Sequence, residues 1–238
     1  MAANPNELLA SVLDAGGRSR LEPHIRAAPL QQDQVVAEPL ERMDRVYFPY
    51  SGVISFLVPL TDGRLVQTGV VGRDGAVGAL QALDGKVSPN KIVVQVPGQA
   101  AVVQAERLAE IVQEFPALRS LILSYEQIFI SEVQQSAACN AIHTVRQRVS
   151  RWILRMNDLV GVNVAVTQEL LAEMIAVTRT SVTAAAVSLQ AAEIIRYRRG
   201  HIHILDIERL RQSSCECYQA LEDYRHIVKG SAPNGVVH

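Results

Sequence analysis

The spacing of apolar residues changes abruptly at Ala105, and this change limits the chain to a fold with separate β and α parts. From Leu30 to Val103, runs of β-branched residues alternate with turn signals such as Asp62-Gly63. This alternation is typical of short strands in a sandwich or barrel. After Ala105 the apolar residues recur at helical spacing. The sequence therefore predicts an α+β fold with an N-terminal β-domain.

The segment from Pro116 to about Ile142 predicts one long helix, because it contains no glycine and its only proline is the first residue. Apolar residues recur along it in alternating steps of four and three, at Leu118, Ile122, Tyr125, Phe129 and Val133. Such a seam either packs on the β-domain or pairs with its twin in a dimer. We favour dimerisation, because the residues that follow Val133 are small or polar.

A second helix is predicted over residues 145–159, with the arginines at 146, 148, 151 and 155 mostly on its polar side. The charge of the chain is uneven. From Thr144 onward, twelve Lys and Arg residues stand against nine Asp and Glu, a net charge of +3, and the rest of the chain has a net charge of −4. This distribution suits a C-terminal part that meets phosphate.

Two short capped helices follow. Thr167 is a candidate N-cap for a helix to about Ile175, and Thr178 is a candidate N-cap for a helix to about Gln190. Because only a short turn joins them, they predict a helix-turn-helix. Short polar side chains and one guanidinium at the start of the second helix suit base edges and phosphates. The candidate DNA-binding residues here are Thr167, Gln168, Thr178, Arg179, Thr180, Ser181 and Thr183.

The next segment predicts a β-hairpin with a basic tip. Residues 194–197 and 201–205 form its two strands, and Arg198-Arg199-Gly200 forms the turn. A basic hairpin directly after a helix-turn-helix can neutralise backbone phosphate, as the wing of a winged helix does. The candidate contacts are Arg198, Arg199 and His201. The alternative interpretation is a helical subdomain with a solvated arginine turn.

The order of β-domain, long helix and VTQELLAEMIAVTRTSVTAAAVSLQAAEIIRYRRGHIHIL resembles the family of the cyclic-AMP receptor protein and FNR regulators, the Crp/Fnr family, over nearly the whole chain. The resemblance implies a cyclic-nucleotide-binding-type β-roll in residues 1–115, a dimerising central helix in residues 116–143 and a winged helix-turn-helix in residues 144–212. Residues 213–238 would be a last helix and a flexible tail. The resemblance also implies a transcription regulator that binds a pseudo-palindrome in double-stranded DNA as a homodimer, with RNA polymerase as a further partner.

Three positions depart from the pattern of this family. Arg179 falls where the family commonly has a base-reading arginine, but Thr180 stands where glutamate is common and Ala184 where arginine is common. Ala176 occupies a turn position at which many members have glycine. We therefore expect a base preference and a turn of this chain's own.

The resemblance also bears on ligand binding. Gly72, Arg73, Asp74 and Gly75 resemble the opening of the family's phosphate-binding cassette, in which a carboxylate holds the ribose and a later arginine holds the cyclic phosphate. That arginine is missing here, and the corresponding stretch offers Lys86 and Lys91, which are point charges instead of planar forks. We therefore expect a loop without a nucleotide and no cofactor. If a cyclic nucleotide does bind, Gly72, Arg73, Asp74, Gly75 and Lys91 are the candidate ligand residues.

The three cysteines are Cys139, Cys215 and Cys217. Their odd number and the close spacing of the last two argue for reduced thiols, and the lack of earlier cysteines argues against an FNR-type iron–sulfur cluster. Cys139 and His143 could form half of a metal or redox site, but we favour a buried small residue. Because Cys215-Glu216-Cys217 lacks zinc-finger spacing, no metal site is predicted.

Other classes of protein find little support in the sequence. No apolar run approaches the roughly 20 residues that span a bilayer, and the N-terminus lacks the pattern of a secretory signal, so a cytoplasmic protein without a membrane partner is expected. No nucleophile elbow, HExxH, P-loop or GxGxxG motif is present, so an enzyme is not expected. The alternative to a DNA-binding regulator is a small-molecule-sensing or structural module without DNA binding.

Overall fold

A computed structural model describes residues 6–14, 18–85 and 87–230, which form two compact units. The N-terminal unit takes its described residues from Met1–Leu57, Gly69–Ile130 and Tyr224–His238. The C-terminal unit takes its residues from Val58–Thr68 and Ser131–Asp223. Lys86 and the predicted tail after residue 230 lie outside the described residues.

The N-terminal unit is built on a five-stranded antiparallel sheet. Its strands are β1 (Arg26–Leu30), β2 (Val35–Ala37), most of β3 (Arg45–Pro59), the last part of β4 (Leu65–Val71) and β5 (Lys91–Gln104). They lie in the order β1-β5-β3-β4, and β2 also pairs with β5. Helices surround this sheet: α1 (Glu7–Val12), α2 (Arg18–Leu21), a 3-10 turn (Glu22–His24), α3 (Ala79–Asp84), α4 (Ala105–Glu114) and the first part of α5 (Pro116–Ile142).

Strand β3 is irregular at Gly52. The register of β3 against β5 shifts on both sides of this residue, and Gly52 has a φ of 81°. A Cβ at this position would stand 2.5 Å from the carbonyl oxygen of Val96. Only glycine combines that left-handed φ with so close an approach, so the bulge lets the sheet curl into a roll around its core.

The C-terminal unit is mainly helical. After the last part of α5 come α6 (Val145–Val160), β6 (Asn163–Ala165), α7 (Gln168–Met174), α8 (Arg179–Ala191), β7 (Ile195–Arg198), β8 (His201–Ile204), α9 (Ile207–Ser213) and the first part of α10 (Cys217–Gly230). The three short strands form an antiparallel sheet in the order β6-β8-β7. The α+β class and the single long helix that the sequence predicted are thus confirmed.

Within the described ranges, no single helix is both long and apolar enough to cross a membrane. Only the consecutive helices α7 and α8 meet the length and composition limits together, and their axes are bent by 109°.

The predicted dimerisation seam on α5 is corrected in part. Leu118 and Ile122 are fully buried in the core of the N-terminal unit, and the Phe129 ring lies 4.8 Å from that of Phe56. Tyr125 packs against the same core. Leu118 and Ile122 cannot contact a second copy, because their own β-domain buries them completely, whereas Tyr125 and Phe129 are half-buried against the same core. An apolar seam has the same spacing whichever surface covers it, so the sequence could not separate the two cases.

Candidate nucleic-acid interface

Helices α7 and α8 form the predicted helix-turn-helix. Thr167 Oγ1 accepts a hydrogen bond from the Leu170 amide at 3.1 Å, and Thr178 Oγ1 accepts one from the Ser181 amide at 3.3 Å. Both predicted N-caps are therefore confirmed. The helix axes meet at 109°, within the range of about 90–120° for this motif. Helix α8 turns an apolar side inward, which leaves its N-terminal turn exposed; the buried residues are Val182, Ala185, Ala186 and Leu189.

The turn between the two helices is strained at Ala176. This residue has a φ of 50°, in the left-handed region that disfavours residues with a Cβ. A residue of another helix also holds this turn, because the buried guanidinium of Arg148 on α6 donates to the carbonyl oxygen of Ile175. Alanine at this position thus keeps the turn but at a cost in free energy.

The first turn of α8 presents a polar surface. Arg179 and Thr180 are exposed, and Ser181 is half-buried. The hydroxyl of Thr178 lies 2.9 Å from those of both Thr180 and Ser181. Arg179 Nη1 lies 2.6 Å from Glu169 Oε1 on α7, and both side chains are 63% exposed. A guanidinium beside a cluster of hydroxyls can donate to base edges and to phosphate oxygens.

Two other predicted contact residues bind each other. Thr183 Oγ1 donates to Gln168 Oε1 at 2.7 Å and also lies 3.0 Å from the Arg179 carbonyl oxygen. Both side chains are half-buried. The structure therefore brings Gln168 and Thr183 into the same surface as Arg179, where they join α7 to α8.

The wing is formed by β7 and β8 with a two-residue turn at Arg199 and Gly200. Their φ angles are 50° and 75°, and two positive φ values are typical of the type I′ hairpin turn that matches strand twist. Arg198, Arg199 and His201 are all exposed at this tip. The structure thus places the three predicted wing residues side by side with their charged or polar groups in solvent.

Sequence reasoning missed Tyr197, which fixes the wing. Its amide donates to Gln190 Oε1 at 2.9 Å, and its hydroxyl donates to the Val166 carbonyl oxygen at 2.8 Å. Burial raises the pKa of Tyr197 to about 12, so the hydroxyl keeps its proton and remains a donor. The alternation of strand β7 places Tyr197 on the same face as the buried Ile195, which is a signal that the sequence contains.

Two arginines of α6 are buried, contrary to their predicted place on the polar side. Arg148 binds the turn of the helix-turn-helix, and Arg155 Nε donates to Glu132 Oε1 at 2.7 Å with both side chains buried. They stand four residues before and three residues after the buried Trp152, so all three share one side of the helix. These arginines therefore stabilise the C-terminal unit from within its core.

The candidate ligand residues occupy a tight turn in the N-terminal unit. The Gly75 amide donates to the Gly72 carbonyl oxygen at 3.2 Å, and Asp74 Oδ1 accepts from the Gly72 amide at 3.3 Å. The buried side chain of Asn6 donates to the Gly75 carbonyl oxygen at 2.8 Å. The Tyr125 ring covers this turn, since a Cβ on Gly75 would lie 2.2 Å from it.

The remaining candidate, Lys91, is directed elsewhere. Its Nζ lies 3.0 Å from Glu38 Oε1. Asp74 accepts a hydrogen bond within its own loop and Lys91 pairs with a carboxylate, so these two side chains are not arranged as a carboxylate for a ribose and a cation for a cyclic phosphate. The expectation of a loop without a nucleotide stays a prediction.

Comparisons with known proteins agree with this geometry. Residues 147–213 match the family model of the Crp-like helix-turn-helix domain. Among solved structures, the c-di-GMP-responsive global regulator CLP of Xanthomonas campestris is 18% identical, with a TM-score of 0.65 over 80% of this chain and 99% of that one. FixK2 of Bradyrhizobium japonicum is 14% identical, with a TM-score of 0.70 over 80% and 98%.

A CRP-family transcriptional regulator of Thermus thermophilus is 18% identical, with a TM-score of 0.63 over 79% of this chain and 96% of that chain. No match is found among curated protein sequences. The chain therefore combines a Crp-like helix-turn-helix domain with the fold of the Crp/Fnr regulators, and the predicted fold class is confirmed.

Proposed function

We propose that this chain, with its Crp-like helix-turn-helix domain in a Crp/Fnr fold, is a sequence-specific DNA-binding transcription regulator that acts as a homodimer. The observation that carries the proposal is the surface of residues 167–201. Two helices crossing at 109° present Arg179 and its hydroxyl neighbours, and the adjacent wing presents Arg198 and Arg199. One surface thus combines donors for base edges with charges for phosphate.

We assign the direct readout of bases to the start of α8 and the phosphate contacts to the wing. Thr180 and Ser181 supply hydroxyls beside Arg179. The guanidinium of Arg179 can donate two hydrogen bonds to one guanine, at O6 and N7. Glu169, which holds Arg179 in the free protein, can orient the same guanidinium toward a base. His201 stands at the wing tip as a further phosphate contact.

For the dimer we propose a surface of α5 other than the predicted seam. Its exposed residues also recur in alternating steps of four and three, and they include two large apolar side chains, Leu123 (43% exposed) and Ile130 (50% exposed). The exposed stripe consists of Leu123, Gln127, Ile130, Gln134, Ala137 and Ala141. This heptad spacing and the small residues at its end suit a parallel pair of helices.

A homodimer of this kind binds two half-sites. The expected operator is therefore a pseudo-palindrome whose half-sites lie about one helical turn apart. In this proposal the N-terminal unit receives a signal. Because the candidate ligand residues fit a cyclic nucleotide poorly, the signal can be a ligand of another chemical class. RNA polymerase is the expected partner of the DNA-bound dimer.

Selection from random duplex DNA with the full chain tests the proposal. We expect enrichment of one pseudo-palindrome, and the affinity for it should fall steeply as salt rises because several phosphate contacts release counterions. A variant with Arg179→Ala and Arg198→Ala should enrich the pseudo-palindrome much less and with a relaxed base preference. Arg211→Ala on α9 serves as a control that also removes an exposed arginine. If the unaltered chain enriches no sequence and shows no salt-dependent binding, it is a sensing or structural module instead.

A further inference from the structure

Four side chains from two distant stretches of the sequence lie together inside the C-terminal unit. Cys139 lies near the end of α5 and His143 directly follows that helix, whereas Cys215 lies in the short connection after α9 and Cys217 begins α10. The three sulfur atoms and one imidazole nitrogen all lie within 4.8 Å of one another. The proposed DNA contacts use none of these groups.

The distances in this cluster match the edges of a small tetrahedron. Cys139 Sγ lies 3.5 Å from Cys215 Sγ, and Cys217 Sγ lies 3.5 Å from His143 Nδ1. With bonds of about 2.3 Å to sulfur and 2.0–2.1 Å to nitrogen, a tetrahedral zinc ion separates two sulfurs by about 3.8 Å and a sulfur from a nitrogen by about 3.6 Å. One ion therefore fits between these atoms.

The surroundings of the cluster are those of a structural metal site. The three cysteines are 0%, 3% and 1% exposed. The second ring nitrogen of His143, Nε2, lies 3.1 Å from Glu216 Oε1, and a carboxylate in this place commonly orients a metal-binding histidine. Gln135 Nε2 donates to Cys217 Sγ at 3.0 Å. Such a bond stabilises a thiolate.

We propose that Cys139, His143, Cys215 and Cys217 bind one Zn²⁺ ion in a closed tetrahedral site of three cysteines and one histidine. Three thiolates and one imidazole are ligands that zinc prefers, and four protein ligands leave no position for a substrate. On binding, the thiols lose their protons to solvent and the imidazole binds through Nδ1. This proposal replaces the sequence-based prediction that the chain has no metal site. The spacing of the cysteines along the chain did not reveal which residues meet in space.

The site has a structural consequence within the C-terminal unit. The ion would join the C-terminal end of α5, with His143 directly after it, to the start of α10 and the residues just before it. A closed zinc site contributes its binding free energy to folding. Zinc supply would then control how much of this unit is folded. This inference does not depend on DNA binding, so it stands or fails by itself.

The metal content of the full chain, purified under reducing conditions and measured by mass spectrometry, tests the proposal. We expect about one zinc per chain. Cys215→Ser with Cys217→Ser should lose this zinc. His143→Cys should keep it, because a site of four cysteines is also tetrahedral, and His143→Ala should weaken its retention against a chelator. His226→Ala, an exposed histidine on α10, is the matched control and should keep one zinc per chain.

A second measurement avoids variants that fail to fold. When the unaltered chain is stripped of metal and titrated with Co²⁺, the absorption of tetrahedral cobalt bound to thiolates should appear and reach its maximum at about one equivalent. Zinc should then abolish it. Two results would overturn the proposal: a metal-free native chain with three thiols that react freely, or a Cys139–Cys215 disulfide in metal-free protein that binds no cobalt after reduction.

Discussion

Arg179 on α8 and Glu169 on α7 form an ion pair in which Nη1 lies 2.6 Å from Oε1. Both side chains are 63% exposed, so water screens the pair and its contribution to the stability of the fold is small. What the pair does is hold a guanidinium over the first turn of α8. The pair thereby orders the Arg179 side chain in the free protein, and this is the side chain to which we assign base readout.

Replacing Arg179 by alanine should weaken binding to the selected operator by about 1 to 3 kcal/mol for each half-site and relax the preference for one base in each. The thermal unfolding temperature should stay nearly unchanged, because the lost ion pair is exposed. Fluorescence anisotropy on the operator and on single-base variants measures both effects on binding. Arg211→Ala removes a similar exposed pair with Glu208 on α9 and should alter neither. Equal losses on all sequences would make Arg179 a phosphate contact.

Arg198 at the wing should act without regard to sequence. With Arg198→Gln, the affinity should fall by a similar factor on the operator and on unrelated duplexes, because a phosphate contact carries no base information. The slope of log affinity against log salt should decrease in magnitude by about 2, because the homodimer loses one phosphate contact in each half-site. Titrations at several salt concentrations provide the slope. A loss confined to the operator would assign Arg198 to base readout.

The exposed stripe of α5 predicts which substitutions make a monomer. Leu123→Lys with Ile130→Lys should convert a dimer to a monomer, because charges would face each other across the helix pair. Val35→Lys is a matched control, since Val35 on β2 is 43% exposed, as is Leu123. Light scattering after size exclusion gives the mass. An unchanged mass in the double variant would remove this stripe from the interface.

Local features of the candidate site could be predicted from sequence because they involve residues close in the chain. The caps at Thr167 and Thr178 each join a side chain to an amide three residues later. The wing follows from alternating strands around a glycine turn. Each of these depends on a few adjacent residues.

Other features depend on what packs where, which spacing alone does not determine. Leu118 and Leu123 lie on the same long helix, yet the first is buried in the β-domain and the second is exposed. Cys139 and Cys215 are 76 residues apart, and only the fold brings their sulfurs within 3.5 Å. The burial of Arg155 could not be predicted for the same reason, because its partner Glu132 lies on another helix.

The strained turn of the helix-turn-helix predicts an unusual gain of stability. Ala176→Gly should stabilise the C-terminal unit by about 0.5 to 1 kcal/mol, because relief of the left-handed strain exceeds the added entropy of the unfolded chain. Ala184→Gly, at an exposed position inside α8, should instead destabilise it by about 1 kcal/mol. The fluorescence of Trp152, the chain's single tryptophan, reports urea unfolding of this unit. Destabilisation by Ala176→Gly would show that the turn carries no such strain.

Glu126 on α5 should make the stability of the N-terminal unit depend on pH. Burial raises its pKa from the ordinary value of 4.5 to about 7, and a backbone hydrogen bond at Leu80 opposes this only in part. Since the folded state holds the proton more tightly than the unfolded chain, its stabilising effect is full below pH 4.5 and is lost as the pH rises through about 7.

The unit should therefore lose about 2 to 3 kcal/mol of stability between about pH 4.5 and about pH 8. Glu126→Gln, which is neutral throughout, should flatten this dependence and make the unit more stable than the unaltered one at about pH 8. Hydrogen exchange of the β3 and β5 amides, corrected for the intrinsic effect of pH, measures the change. Glu106→Gln, at an exposed position on α4, should leave the profile as it was. If Glu126→Gln keeps the full dependence, the titrating group lies elsewhere in the unit.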